Sequence, residues 1–435
     1  MSKALFLALL LPIYTFCKIP TPPLPWTQIE EEHLSPGIPH QDYTPAITPN
    51  GVTAKYKIID GCKVFHLTAE PLEWEVAPGF TIHTWGYNGS VPGPMIELTE
   101  GDRVRIYVTN KLPAPTTIHW HGVLIPCGMD GVGGVTQEPI APGKTFLYEF
   151  TFPRAGTFMY HPHFDSMTQE GMGLTGMIVV HKREPDFSKR ADRDFVIMLQ
   201  EWNVAAGTSR PNTLKTNFNV LTMNGKVMPA TEPLVAELGD TIWVRYGNLS
   251  AMDHHPVHLH GYSFKIIGSD GGWAKDKSFL LPETTVLVPV GAAKVIEFLA
   301  DNPGDWIFHC HMTHHTMNQM GHDFPNMLGM EIDDFEKRIQ KLIPGYMVMG
   351  TTGMHDMTKT GMPTPKNSIP MLGYDGPFGQ TVFGGMANIL RVRKETDNYK
   401  DPGPYPFPRG SIAGPATAGD LLKDQITLDY TNRNK

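Results

Sequence analysis

The stretch Pro303-Gly304-Asp305-Trp306-Ile307-Phe308-His309-Cys310-His311 echoes Ala155-Gly156-Thr157-Phe158-Met159-Tyr160-His161-Pro162-His163, and that echo decides the fold. Further upstream, Asn88-Gly89, Pro94-Met95-Ile96-Glu97-Leu98, Gly101-Asp102 and Val104-Arg105-Ile106-Tyr107-Val108-Thr109-Asn110 are matched by a second set. The matches are Asn224-Gly225, Pro233-Leu234-Val235-Ala236-Glu237-Leu238, Gly239-Asp240 and Ile242-Trp243-Val244-Arg245-Tyr246-Gly247-Asn248. Alternating apolar and polar residues after a Gly-Asp turn predict paired strands. His119-Trp120-His121 pairs in the same way with His258-Leu259-His260. Two copies of one β-sandwich therefore span 51–182 and 193–335, joined by a charged linker from Lys182 to Arg193.

Composition agrees with an all-β chain. In 435 residues there are 43 Gly and 39 Pro, and only 18% are charged. Such a chain is rich in turns and poor in long helices, and is long enough for two or three cores. A net charge of -8 gives no footprint for nucleic acid. Residues 336–435 break the pattern. Met347, Met349, Met354, Met357, Met362, Met371 and Met386 lie among Gly, Pro and Thr, and strand periodicity survives only near Thr381–Val382 and Ile389–Val392. This region reads as an extended Met/Gly/Pro-rich tail.

The start, Met1-Ser2-Lys3 followed by an apolar run from Ala4 to Phe16, predicts a secretory signal peptide over 1–22. The run falls short of the roughly 20 residues that a membrane-spanning helix needs, so no transmembrane segment is expected in the mature chain. Export to a periplasmic or extracellular space follows. Of Cys17, Cys62, Cys127 and Cys310, the first leaves with the signal. Cys62 and Cys127 are open to two readings, a disulfide of an oxidising compartment or two small buried hydrophobes. Asn88-Gly89-Ser90 and Asn248-Leu249-Ser250 match a glycosylation acceptor pattern but fall at repeat positions that read as turns.

Chemistry concentrates in four histidine clusters: His119-x-His121, His161-x-His163, His255-x-x-His258-x-His260, and His309-Cys310-His311 with His315 and then Met320. A His-x-His pair on a strand puts both rings on one face about 7 Å apart. On the same strand Cys310 points the other way from His309 and His311, so one strand touches two metal sites. Four such pairs supply eight imidazoles, enough for three metals with open positions. His255, Cys310, His315 and Met320 remain as two imidazoles and a thiolate with a weak axial thioether, the ligand type of a blue-copper centre.

Through these motifs the chain resembles the multicopper oxidases, specifically the two-domain, small-laccase-like kind. The resemblance covers 51–335 and rests on His119-Trp120-His121-Gly122, His161-Pro162-His163, His255-Pro256-Val257-His258-Leu259-His260 and the Cys310 segment. It implies two cupredoxin-like Greek-key domains holding four coppers per functional unit. Type 1 copper would be held by His255, Cys310, His315 and Met320. Type 2 would be held by His119 and His258. The type 3 pair would be held by His121, His161, His163, His260, His309 and His311. The resemblance also implies a homotrimer with clusters shared between subunits. It implies reduction of O2 to water by electrons from a small reductant: a phenol, an aromatic amine or Cu(I). Asp130 matches an acidic residue placed near type 2 copper and is the candidate proton-transfer group. His314 stands where some relatives carry an acid.

Soft thioethers select Cu(I), and Met167, Met172, Met177, Met317, Met327 and Met330 lie close in sequence to the ligands. They suggest oxidation of cuprous ion, against the plainer reading that methionine fills irregular gaps. Two alternatives differ in class. A copper-binding or copper-resistance protein without turnover explains the methionines but leaves the histidine cluster idle. A copper nitrite reductase needs no type 3 pair. His254, His314, His322 and His355 have no assigned role.

Overall fold

The computed structural model describes residues 35–183, 190–205, 207–319, 341–342, 366–370 and 374–428. The predicted signal peptide, Met320, His322, Met327, Met330, His355 and the methionines from Met347 to Met371 lie outside these. Strands dominate the described chain. The sheet-forming signal is visible in Arg103–Asn110, where Val104, Ile106 and Val108 are buried and Arg103 and Tyr107 are exposed. Each such buried side chain contributes roughly 1.5–3 kcal/mol.

In the first domain, one sheet runs Tyr56–Ile59, Cys62–Ala77, Arg103–Asn110 and Thr145–Thr151, with Phe80–Tyr87 also on Cys62–Ala77. The facing sheet runs Gly93–Thr99, Gly176–His181, Gly156–His161 and His119–His121. Side chains from both sheets, among them Phe65, Ile106, Trp120 and Ile178, form one core between them. In the second domain, the larger sheet carries Arg193–Trp202, Thr241–Asn248, Ala293–Leu299 and Lys265–Ser269. Its facing sheet runs Leu234–Glu237, Ala387–Arg393, Gly304–Cys310, His255–Leu259 and Thr285–Val288.

The repeat survives at atomic detail. Asp102 Oδ2 accepts from Thr99 N at 2.8 Å, and Asp240 Oδ2 accepts from Glu237 N at 2.8 Å. The boundary expected at 335 does not survive. Ala387–Arg393, inside the segment read as tail, pairs parallel with Leu234–Glu237 and antiparallel with Gly304–Cys310. This is the place that Gly176–His181 takes between Gly93–Thr99 and Gly156–His161 in the first domain. The equivalent strand starts 13 positions after His163 (176 − 163) but 76 after His311 (387 − 311). The second sandwich therefore closes at Arg393, and the Met-rich stretch is an insertion before its last strand. Sequence reading missed this because the intervening chain removed the short spacing that identified the first copy.

The domains are bonded to each other. Ala46–Ile47 adds to the second domain's sheet beside Arg193–Trp202, and buried Arg245 donates to Asp194 at 2.8 Å and to Thr157 Oγ1 at 2.8 Å. Met95, Met159, Met177, Val179, Val196 and Met198 pack between them. Met177, one of the methionines read as near the ligands, is thus a packing residue here, and Met159 beside it fills irregular space in the same way.

Candidate metal centres

In the first domain, antiparallel pairing sets His119 opposite His161. The rings of His119 lie 5.4–5.7 Å from those of His121, His161 and His163, and donor atoms of His119, His121 and His161 all fall within 4.8 Å of one another. Backbone carbonyls fix the tautomers. His119 Nδ1 donates to Asp130 O at 2.8 Å and His161 Nδ1 to Pro162 O at 2.9 Å, so both present Nε2 lone pairs. Glu170 Oε1 adds a 3.1 Å contact to His161 Nδ1. His121 is reversed. Its Nε2 donates to Gly291 O of the second domain at 2.8 Å, leaving Nδ1 at 3.2 Å from His161 Nε2.

The second domain repeats the arrangement. His258 pairs with His309 across the strands, its ring 4.9 Å from that of His260 and 5.5 Å from that of His311. His258 Nδ1 donates to Thr284 O at 2.7 Å and His309 Nδ1 to Cys310 O at 2.9 Å, while His260 Nε2 and His309 Nε2 approach to 3.2 Å. His163, His260 and His311 are exposed. Among the described residues of one chain, no hydrogen bond or ring contact joins the first tetrad to the second. Burial lowers the proton affinity of His119, His121, His260 and His309, keeping the lone pairs available near neutrality.

On the opposite face of the Cys310 strand lies a third site. Cys310 Sγ is 3.7 Å from His255 Nδ1 and 3.4 Å from His315 Nδ1, and all three residues are buried. Burial pushes the Cys310 thiol up to about 12 and, with the His315 charge, pulls His255 down to about 3. A cation bound here would displace the thiol proton and meet a neutral His255 imidazole. One thiolate and two imidazoles in a dry pocket fit copper. The fourth predicted ligand, Met320, lies outside the described residues.

Sequence reading missed the groups around this site. Ser250 Oγ contacts His255 Nε2 at 2.7 Å, and Asp253 Oδ2 lies 3.5 Å from His315 Nε2. Behind Asp253, buried Glu201 accepts from Met252 N at 2.7 Å and Asp253 N at 3.2 Å. Burial, reinforced by Asp253, raises its carboxyl to about 8. Contact with His315 holds Asp253 below the ordinary range. Just before the closing strand, Met386 N donates to His315 O at 2.9 Å and Cys310 N to Met386 O at 3.0 Å. Gly385 takes φ +58°, and a Cβ there would meet His315 O at 2.2 Å. Only the sequon Asn248-Leu249-Ser250 hinted at any of these. Asn248 and Ser250 are buried, so that pattern marks a hydrogen-bonded turn.

Asp130 sits beside His119, its Oδ1 3.4 Å from Nδ1. Cys62 is buried at the start of a strand, Cys127 is exposed at the start of the 3-10 helix Cys127–Met129, and both are free thiols, which decides against the disulfide. His254 Nδ1 accepts from Val290 N at 3.0 Å, and His314 is exposed next to buried His315. Met167 is exposed and Met172 buried.

Tandem β-sandwiches, each with a histidine tetrad and one with a pocket of one cysteine and two histidines, define a class of transition-metal redox proteins. The chain belongs to the multicopper oxidase family, whose signatures match residues 68–185 and 201–328. It is 42% identical over 267 residues to copper resistance protein A of Escherichia coli, covering 50% of this chain and 43% of that protein. The chain spans less than half the length of that curated relative. Among solved structures it is similar to blue copper oxidase from Nitrosomonas europaea, with 26% identity, TM-score 0.55, and 76% and 85% of the two chains covered. It is also similar to the multicopper oxidase mgLAC, with 27% identity, TM-score 0.56, and 79% and 91% covered. These likenesses bear out the cupredoxin-like all-β reading. Among the described residues, no helix is long and apolar enough to cross a membrane.

Proposed function

We propose that this chain is an exported oxidase that takes single electrons from a small reductant at the Cys310 site and passes them to a three-copper cluster where O2 becomes water. The single observation that carries it is Cys310 itself. Its thiol lies in the buried His255/His315 pocket, while its strand neighbours His309 and His311 lie in the tetrad on the other face. Copper bound at these residues would supply the one-electron chemistry and the site of oxygen reduction.

The chain's own groups do the rest. His255, Cys310, His315 and Met320 would hold type 1 copper, His119 and His258 type 2, and the other six histidines the type 3 pair, giving four coppers per functional unit. Carbonyl acceptors hold His119, His121, His161, His258 and His309 each in one tautomer, which pre-orients its lone pair. His309 Nδ1 bonded to Cys310 O adds a hydrogen bond across the covalent link between sites. Asp130, half-exposed with Oδ1 3.4 Å from His119 Nδ1, would be the group that holds and delivers protons near type 2 copper, directly or through water.

For sharing of each cluster between subunits of a homotrimer, the supporting features are the open edges at His163, His260 and His311 and the lack, among the described residues, of any hydrogen bond or ring contact between the two tetrads. For the reductant, Met252 (58% exposed) adjoins Asp253, and Met312 (38% exposed) opens the turn that carries His315. Such thioethers favour cuprous ion over a phenol or aromatic amine. Export is supported by the N-terminal run over 1–22. The test is copper stoichiometry with visible and paramagnetic resonance spectra, subunit mass in solution, and oxygen uptake with Cu(I) and with a phenol. Colourless copper-loaded protein, or no uptake with either reductant, refutes the reading.

A further inference from the structure

Asn248 ends the strand Thr241–Asn248 and is fully buried, with every polar atom bonded. Its Nδ2 donates to Asp253 O and Val288 O, both at 3.0 Å, and its Oδ1 accepts from Ser250 N at 2.8 Å. On its backbone, the carbonyl accepts from Gly291 N at 2.9 Å and the amide donates to Ala292 O at 3.1 Å. Two contacts to candidate ligands leave from the segments it holds. Ser250 Oγ reaches His255 Nε2 at 2.7 Å, and Gly291 O reaches His121 Nε2 at 2.8 Å. A run of hydrogen bonds within one chain thus joins the Cys310 pocket of the second domain to the tetrad of the first.

The first domain contains the same clamp without these outlets. Asn110 Nδ2 donates to Ala114 O at 2.9 Å and Ile140 O at 2.8 Å, its Oδ1 accepts from Leu112 N at 2.8 Å, and its carbonyl accepts from Gly143 N at 2.7 Å. The clamp is therefore part of how the repeated sandwich holds its loops. Only in the second copy does a hydroxyl, Ser250, replace an alkyl side chain, Leu112, two residues on.

We propose that Asn248 is a positioning residue that sets His255 and His121 together, holding both in the Nε2–H tautomer so that each offers Nδ1 to copper. A carbonyl oxygen only accepts, so Gly291 O requires the proton on His121 Nε2. For His255, Nδ1 faces Cys310 Sγ and must be free of its proton to bind a metal, which leaves the proton on Nε2 facing Ser250 Oγ. Among the tetrad histidines whose ring contacts are to carbonyls, His121 is the one that presents Nδ1. Its orientation is supplied by the second domain. The alternative assignment, Nδ1–H, would turn the Nε2 lone pair of His121 onto a carbonyl oxygen that cannot donate, and at His255 would leave a protonated Nδ1 facing Cys310 Sγ. As each tetrad belongs to one domain, the clamp makes the geometry of the first depend on Asn248, which also holds the segment leading into His255.

Assigning copper to these rings, and with it the His255 tautomer, rests on the proposed function; the His121 tautomer follows from the Gly291 carbonyl alone, and the test separates the two. Histidine nitrogen-15 spectra of the metal-free, full-length chain should show His121 and His255 protonated at Nε2, and His119, His161, His258 and His309 at Nδ1. Asn248→Asp puts a carboxylate against two carbonyl oxygens and should mix the tautomers of both His121 and His255. Ser250→Ala should release His255 alone. Asn110→Asp, the matched change in the first copy's clamp, should leave both unchanged. Copper affinity should fall about 10–100-fold at both sites in Asn248→Asp and only at the Cys310 site in Ser250→Ala. Wild-type spectra with Nδ1–H at His121 overturn the proposal whatever the variants do. So does an unmoved His121 in folded Asn248→Asp, or an equal shift in Asn110→Asp. Correct tautomers with no copper bound would leave this inference standing and sink the functional one.

Discussion

Glu201 offers the sharpest quantitative prediction. It is 4% exposed, and its carboxyl is raised from 4.5 to about 8 by burial and by Asp253. Between pH 4.5 and 8 the unfolded chain has released this proton while the folded chain keeps it, so stability falls as pH rises through that window. The full difference, (8 − 4.5) × 1.36, sets a ceiling on the order of 5 kcal/mol. Asp253 shares the charge, and we expect about half of that. Glu201→Gln keeps an acceptor for Met252 N and Asp253 N and replaces the retained proton with an amide N–H. It should leave thermal stability of the metal-free protein unchanged near pH 4.5 and raise the melting temperature by about 5–10 °C at pH 8.5. The assay is paired melting curves at those two pH values. An equal effect at both, or destabilisation at pH 8.5 alone, would refute the argument that Glu201 is held as a neutral acid.

Three further outcomes are expected. Cys310→Ser should abolish the visible thiolate-to-copper band and oxygen uptake with Cu(I), and leave the folded apo-protein stable to within about 1–2 kcal/mol in denaturant melts. Gly385→Ala forces a Cβ onto His315 O at a left-handed backbone, which should cost about 1–3 kcal/mol and weaken copper at the Cys310 site in metal titrations. A chain ending at residue 335 loses Met386, Leu390 and Val392 from the second core, roughly 5–9 kcal/mol of burial, against a typical total of 5–15. Limited proteolysis should find its second domain unfolded, whereas a chain ending at 404 should stay resistant.

The histidine and cysteine positions were legible because metal-binding pairs depend on local period-2 geometry. His309 and His311 face one side and Cys310 the other on any strand, wherever it sits in a sheet. The repeat added the sandwich and its duplication, since Asn88, Asp102 and Asn110 recur as Asn224, Asp240 and Asn248 at matching turns. What stayed hidden depended on partners far along the chain. Glu201 reads as one more charged residue until the 252–253 backbone is folded over it, and Gly385 reads as a loop glycine until His315 lies against it.

The amino-acid sequence by itself determined which side chains could bind metal, which faced together on each strand, and that two copies of one sandwich carry them. Tertiary structure alone decided where the second sandwich closes, because an insertion separates Ala387–Arg393 from the strands that it joins. It alone decided which ring nitrogen His119, His161, His258 and His121 present as well, because backbone carbonyls from Asp130, Pro162, Thr284 and Gly291 select the tautomer. A carbonyl's position is set by the path of the whole chain, and no residue letter records it.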